Sequence, residues 1–159
     1  PKTFLFSGGA GLLTRPPRLD PSAQAEARAI FPLGITAGVF GRATYSGTLD
    51  SPVVESTLMV GLGYEHTAGY GLSLRAGLYG GGRVHFWQGP EGGVDIDPAI
   101  GVLIGARYNI LPTLELDVTV PLTGTAARSH LLDDGTIWSR RELGVGLSVG
   151  LVWAWEPSW

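Results

Sequence analysis

Ser129, His130, Asp133 and Asp134 fall within six residues, with Ser139 close behind, so the hydroxyl, imidazole and carboxylate of an activated nucleophile share one polar stretch. His130 nonetheless reads as a solvent-exposed loop histidine, and the chain is expected not to be an enzyme. His85 shares strand parity with Arg83 and reads as a member of a polar network, while His66 reads as a cap on a short turn near Thr67. Three histidines so scattered, in a chain without cysteine, lack the spacing of a metal centre, and no cofactor is expected. The denser chemistry is ionic. Glu26, Glu55, Glu65, Glu115, Asp117 and Glu142 stand against Arg28, Arg42, Arg75, Arg83, Arg107 and Arg140. Arginine's planar fork matches a carboxylate, so these side chains suit a buried ion-pair network, provided the fold turns them inward.

The stretch from Arg141 to Trp155 shows what could turn them. Its odd positions read Leu143, Val145, Leu147, Val149, Leu151, Trp153 and Trp155; its even positions read Gly144, Gly146, Ser148 and Gly150. That period of two is a strand with one greasy face and one bare face. A soluble sandwich would put polar side chains on its outer face, whereas glycine suits the crowded inside of a narrow barrel whose greasy face meets lipid. Glycine supplies 25 of 159 residues without a three-residue period, which excludes collagen. With 44% apolar and 16% charged residues the chain is neither disordered nor, at a net charge of -3, a nucleic-acid binder. No apolar run reaches the ~18 residues of a membrane helix. Pro1 follows no basic, apolar leader, so export is not legible at the N-terminus.

Turn signals divide the chain into eight alternating segments: 2–13, 22–30, 34–46, 54–66, 71–87, 98–109, 114–127 and 141–155. The second, with Ala23, Ala25, Ala27 and Ala29 on one face, also suits a short helix. Its approach to Phe31-Pro32 matches Ala106 to Pro112 before the seventh segment, which favours a strand and a tight turn. Links near Phe31, Ala68 and Pro112 are short; those around Pro17, Asp50, Pro90 and Asp133 are long and polar. Strict alternation of short and long links, with an even strand count, describes an all-β fold: a closed antiparallel up-and-down transmembrane β-barrel in one domain spanning 1–159. The twelve charges share the inward parity, as lipid would enforce. Tyr45, Phe86, Trp87 and Trp138 fall near the long links, and Phe31, Tyr64, Tyr70, Tyr108, Trp153, Trp155 and Trp159 near the short ones, as two aromatic girdles would.

The C-terminal stretch Ser148-x-Gly150-x-x-Trp153-x-Trp155 resembles the signal by which outer-membrane barrels are recognised for assembly, and Trp159 resembles their terminal aromatic. Glu156-Pro157-Ser158 departs from that ending, since proline cannot donate to a ladder. The pattern is similar to small eight-stranded outer-membrane proteins of the OmpA transmembrane-domain, OmpX and OmpW kind. The resemblance implies residence in the bacterial outer membrane. The implied partners are lipid, the barrel assembly machinery and other envelope proteins. An eight-stranded bore that side chains fill, with its charges matched, leads to the expectation of a non-enzymatic anchor or docking component with a plugged lumen. Two alternatives come with it. One is a lipid A-modifying enzyme, although the order here departs from the His-x-Ser pattern of lipid A deacylases. The other is a narrow OmpW-like channel for small apolar molecules, with Pro121 marking a wall opening or bulge, although the simpler reading of Pro121 is a harmless irregularity near the upper rim. Apolar lumen residues around Phe40, Met59, Tyr79 and Leu103 would favour the channel; a continuous salt-bridge network would favour the plug.

Overall fold

A computed structural model describes residues 3–15, 18–47, 51–90, 92–112 and 114–156. The loop-tip residues around Pro17, Asp50 and Glu91, and Trp159, lie outside them. Ten strands follow the alternating pattern: β1 (Thr3–Arg15), β2 (Arg18–Ile30), β3 (Ile35–Gly47), β4 (Pro52–Gly69), β5 (Leu72–Trp87), β6 (Gly93–Leu111), β7 (Leu114–Thr125), β8 (Arg128–Leu131), β9 (Ile137–Arg140) and β10 (Leu143–Trp155). Eight of them close into an antiparallel barrel in the order β1-β10-β7-β6-β5-β4-β3-β2, and β8 and β9 form a separate hairpin. Closure joins the first strand to the last, from Phe4 opposite Trp155 to Thr14 opposite Val145. Both ends of the described chain therefore sit at the rim of the short turns.

Those turns need left-handed backbone. Tyr70 and Gly71, at φ 52° and 76°, are the two central residues of the hairpin joining β4 to β5. Such a primed turn matches the twist of its flanking strands. Leu33 and Gly34, at φ 68° and 80°, turn β2 into β3, where the Phe31 N–H donates to the Ile35 carbonyl at 2.8 Å.

The alternation sorts side chains as lipid and lumen require. Leu58, Val60, Leu62, Leu78 and Ile100 are exposed on the outer wall, while Met59, Tyr79 and Leu103 are buried inside. The alanine-rich segment is a strand, registered with β1 from Thr3–Ile30 to Arg15–Arg18, and its alanines face outward. Its neighbours supply every backbone partner, and this outweighs alanine's helical propensity.

Several strand boundaries differ from the sequence reading, among them the start of β2 at Arg18 and of β10 at Leu143. β6 starts at Gly93, because Pro98 points to the outside and is tolerated within the strand opposite Gly82. β7 ends at Thr125, and the fourth long link folds into the β8–β9 hairpin. Pro121 makes no bulge: β7 and β10 keep one register from Leu143–Gly124 through Ser148–Thr119, although pairing lapses opposite the proline. The ring faces inward beside Gly146, where an added Cβ would lie 2.9 Å from its Cγ.

Placing a charge on the outer wall tests the assignment of the two faces. Val60→Arg is expected to lower stability by about 2 to 4 kcal/mol in urea unfolding from lipid vesicles. Ser129→Arg, on the hairpin outside the wall, is expected to leave it unchanged.

Candidate functional site

The lumen is built in layers. At the short-turn rim an open vestibule of about 760 Å³ is lined by Thr3, Glu65, Arg107, Asn109, Glu115 and Glu156. Arg107, from β6, bridges Glu65 of β4 and Glu115 of β7. Deeper in, Arg28 reaches Glu26 at 3.1 Å and Glu65 at 3.3 Å. Arg75 donates to Glu26 at 2.5 Å, to Asp117 at 2.9 Å and to Thr119 at 2.8 Å. The Tyr79 hydroxyl completes the set, donating to Glu26 at 3.1 Å. Strands without large side chains here leave the room: a Cβ at Gly38 would lie 2.8 Å from the Arg28 Cβ, and one at Gly105 2.7 Å from the Arg75 Nε.

Above this cluster the bore turns apolar. Phe40, Met59, Tyr79, Ala99 and Leu103 form one buried group drawn from β3, β4, β5 and β6. The free space between this group and Arg28 and Arg75 is about 10 Å³, no more than room for one water.

A second polar layer follows. Arg42 donates to Thr123 at 3.2 Å, and Arg83 to Thr57 at 3.1 Å. Arg140 pairs with Glu55 at 3.0 Å and with Asp97 at 3.3 Å, and lies 3.0 Å from the His85 Nε2. Arg128 holds Asp97 through Nε at 3.0 Å and Nη2 at 2.5 Å.

The β8–β9 hairpin closes the mouth on the long-loop side. Trp138 Nε1 donates to Ser46 Oγ at 2.9 Å, and Leu132 and Trp138 pack on Val53 with Trp87 beside them. His130 is sandwiched between Trp87, 3.8 Å away at 11°, and Trp138, 5.3 Å away at 6°.

Of the ionic residues singled out in the sequence, Glu26, Arg28, Glu65, Arg75, Arg107, Glu115 and Asp117 meet in the lower cluster. Glu55 and Arg140 join the upper layer, where Arg42 and Arg83 are held by threonines. Arg140 arrives from the hairpin, not from a wall strand. Glu142 is the exception: it is exposed, because the chain bends at Arg141–Glu142 before β10 begins, so strand parity does not reach it. An apolar group lies between the lower and upper clusters of the described residues, so the features expected of plug and channel coexist in one bore.

Sequence reasoning missed Asp97, Asp95 and Arg128. Asp97 shares the inward parity of Ala99 and Leu103, a signal that a strand starting at Pro98 leaves out. His130 is buried and stacked, not solvent-exposed, and Trp138 lies within the mouth, not in a girdle. His85 is buried beside Arg140, in the polar network, whereas His66 stands exposed on β4 opposite Leu74. Ser129 and Ser139 are paired on the exposed face of the hairpin, opposite to His130. Asp134 accepts from the Thr136 N–H at 2.9 Å and so shapes the hairpin turn. Neither serine can reach the imidazole, so these residues do not assemble a nucleophile and its base. In the closing strand Ser148 faces inward and Trp153 and Trp155 outward, with Gly150 held against Gly9, where a Cβ would meet the Gly9 Cα at 2.8 Å.

No protein-family model and no curated protein sequence matches the chain. Solved structures do. The neisserial surface protein A superposes with a TM-score of 0.67 at 12% identity, covering 96% of this chain and 95% of that one. A major outer membrane protein from Thermus thermophilus gives 0.65 at 14%, covering 98% and 100%. Ail, the attachment invasion locus protein of Yersinia pestis, gives 0.59 at 14%, covering 97% and 98%. At such identities the likeness is one of fold, and it agrees with the closed eight-stranded sheet, the inward charges and the greasy exterior: the chain has the fold of small eight-stranded antiparallel outer-membrane β-barrels.

Proposed function

We propose that the barrel is a non-enzymatic anchor or docking component of the bacterial outer membrane, with a bore sealed against solutes and ions. The observation that carries this reading is the apolar layer of Phe40, Met59, Tyr79, Ala99 and Leu103 between two ion-paired layers. An ion crossing it would be stripped of water without finding a partner, which costs several kcal/mol even after relaxation. The hairpin adds a second closure at the long-loop mouth. With the bore filled, function falls to the surfaces: the wall to lipid, the long loops and the vestibule rim to other envelope proteins. The closing strand, with Ser148, Gly150, Trp153 and Trp155, would meet the barrel assembly machinery. This reading involves no cofactor and no nucleic acid.

The narrow channel for apolar molecules draws on the lapse in pairing at Pro121. Unbroken register across the lapse, and the Pro121 ring seated against Gly146, weigh against a wall opening there. Against the enzyme reading, Ser129 and Ser139 lie on the face of the hairpin opposite to His130.

Single-channel recording after reconstitution tests the seal. The wild-type barrel, shown to be folded by heat-modifiable gel mobility, is expected to be electrically silent. Steady conductance of the wild type would overturn the sealed-bore reading. Separately, Arg75→Met leaves Glu26 and Asp117 without their shared cation. Its urea midpoint in vesicles is expected to fall by the equivalent of about 3 to 5 kcal/mol.

A further inference from the structure

Among the described residues the β8–β9 hairpin is the sole strand pair outside the barrel wall. A two-stranded hairpin is marginal alone in water, so its closed position depends on what it touches. Its inward face carries Arg128, His130, Trp138 and Arg140, which meet Asp97, Trp87, Ser46 and Glu55 of the wall. The centre of that contact is His130, only 9% exposed, with an aromatic ring on each face. Its Nε2 has no hydrogen-bond partner among the described residues, and the Asp95 carboxylate stands 4.0 Å away.

The charged and titratable groups around the ring come from every element packed against it. β8 supplies Arg128 and β9 supplies Arg140; β5 supplies His85, its ring 6.2 Å away at right angles; β6 supplies Asp95 and Asp97. Burial disfavours the imidazolium; attraction to Asp95 and Asp97 opposes this in part, while Arg128 and Arg140 add to it. Together they hold His130 below the ordinary histidine range.

We propose that the hairpin is an acid-released cap: it seats on the outer mouth while His130 is a neutral wedge between Trp87 and Trp138, and mild acid frees it. Release would expose Arg42, Arg83, Glu55 and Asp97 to the outside. The apolar layer below would still close the bore, so the cap governs access to the upper polar layer and not conduction. The direction follows from linkage. The seated cap prefers the neutral ring, and a free hairpin binds a proton at about pH 6.5. Seating is therefore strongest above that pH. It weakens as pH falls, by up to tenfold per unit, until the pKa of the seated ring is reached.

The absence of cysteine allows one label to report the motion. A nitroxide at Ser139→Cys, on the exposed face of the hairpin, is placed in the full chain folded in lipid nanodiscs and its spectrum recorded from pH 7.5 to 5.0. The expected result is an immobilised signal at pH 7.5 and a mobile fraction that grows below pH 6.5. In His130→Phe, which keeps a ring in the slot but cannot titrate, the mobile fraction is expected to be independent of pH. His130→Gln serves equally if phenylalanine loosens the cap, since the quantity read is the pH dependence. A wild-type spectrum unchanged between pH 7.5 and 5.0 would overturn the proposal. So would a pH response in both variants equal to that of the wild type, which would assign it to His85 or to the carboxylates. Heat-modifiable mobility of each variant separates release of the cap from loss of the barrel.

Discussion

Every backbone N–H and C=O that crosses the bilayer must find its partner within the protein, because hydrocarbon offers none. For strands this forces the sheet to close on itself, and β1 pairs with β10 to leave no free edge. Closing at eight strands fixes the bore at a width that side chains fill. The inner face therefore has to be packed like a protein core although lipid, by claiming the apolar side chains for the outer face, leaves it polar residues. Glycine resolves part of this conflict: Gly61 faces the Tyr79 ring and Gly105 the Arg75 stem at distances where no Cβ would fit. Ion pairing resolves the rest, with Glu26 and Asp117 shared around Arg75.

The layering sets the different conditions under which these ions persist. The lowest, around Arg107, borders the vestibule and keeps part of its hydration; the pairs at Arg75 are dry and rely on multiple short hydrogen bonds. A buried pair whose remaining donors and acceptors are met can hold, whereas one left half-matched is costly. The apolar layer then sets the two ionic groups apart along the bore. The upper group is completed by the hairpin, since Arg140 and Arg128 both come from outside the wall. Its stability and the position of the hairpin are thus one property.

Most of the wall was legible in the sequence because lipid imposes a simple rule. Leu143 to Leu151 alternates without exception, and Leu58 to Tyr64 nearly so; burial largely follows the same parity. The alanine strand was ambiguous, since alanine carries no β preference and only its neighbours decide. Beyond the wall the rule stops. Nothing in lipid constrains residues 126–142, so their pattern had to be read on its own terms. There the Asp134-Gly135 turn, with Gly135 at φ 77°, flanked by Arg128, His130, Trp138 and Arg140 at period two, signals a hairpin. Reading that stretch as a polar link misplaced His130 and Trp138 in solvent and headgroup. It also carried strand parity back to Glu142, where the chain bends. Which carboxylate meets which arginine was not legible at all, because it depends on the stagger of strands around the bore.

The partners in the lumen are far apart along the chain. Arg75 joins residues 49 and 42 positions away, Arg107 reaches 42 positions to Glu65, and Trp138 reaches 92 to Ser46. No single β-hairpin contains these pairs, so a growing sheet of a few strands, although it can join Arg107 to Glu115, would hold Arg75 and Arg140 without most of their partners. Such a sheet could neither shed water from its inner face nor rest in hydrocarbon with that face exposed. The lumen charges thus work against stepwise insertion of individual hairpins and favour curling, pairing and dehydration as one late event, at the slow pace expected of non-local contacts. The same residues that fill the finished bore make its formation all-or-none.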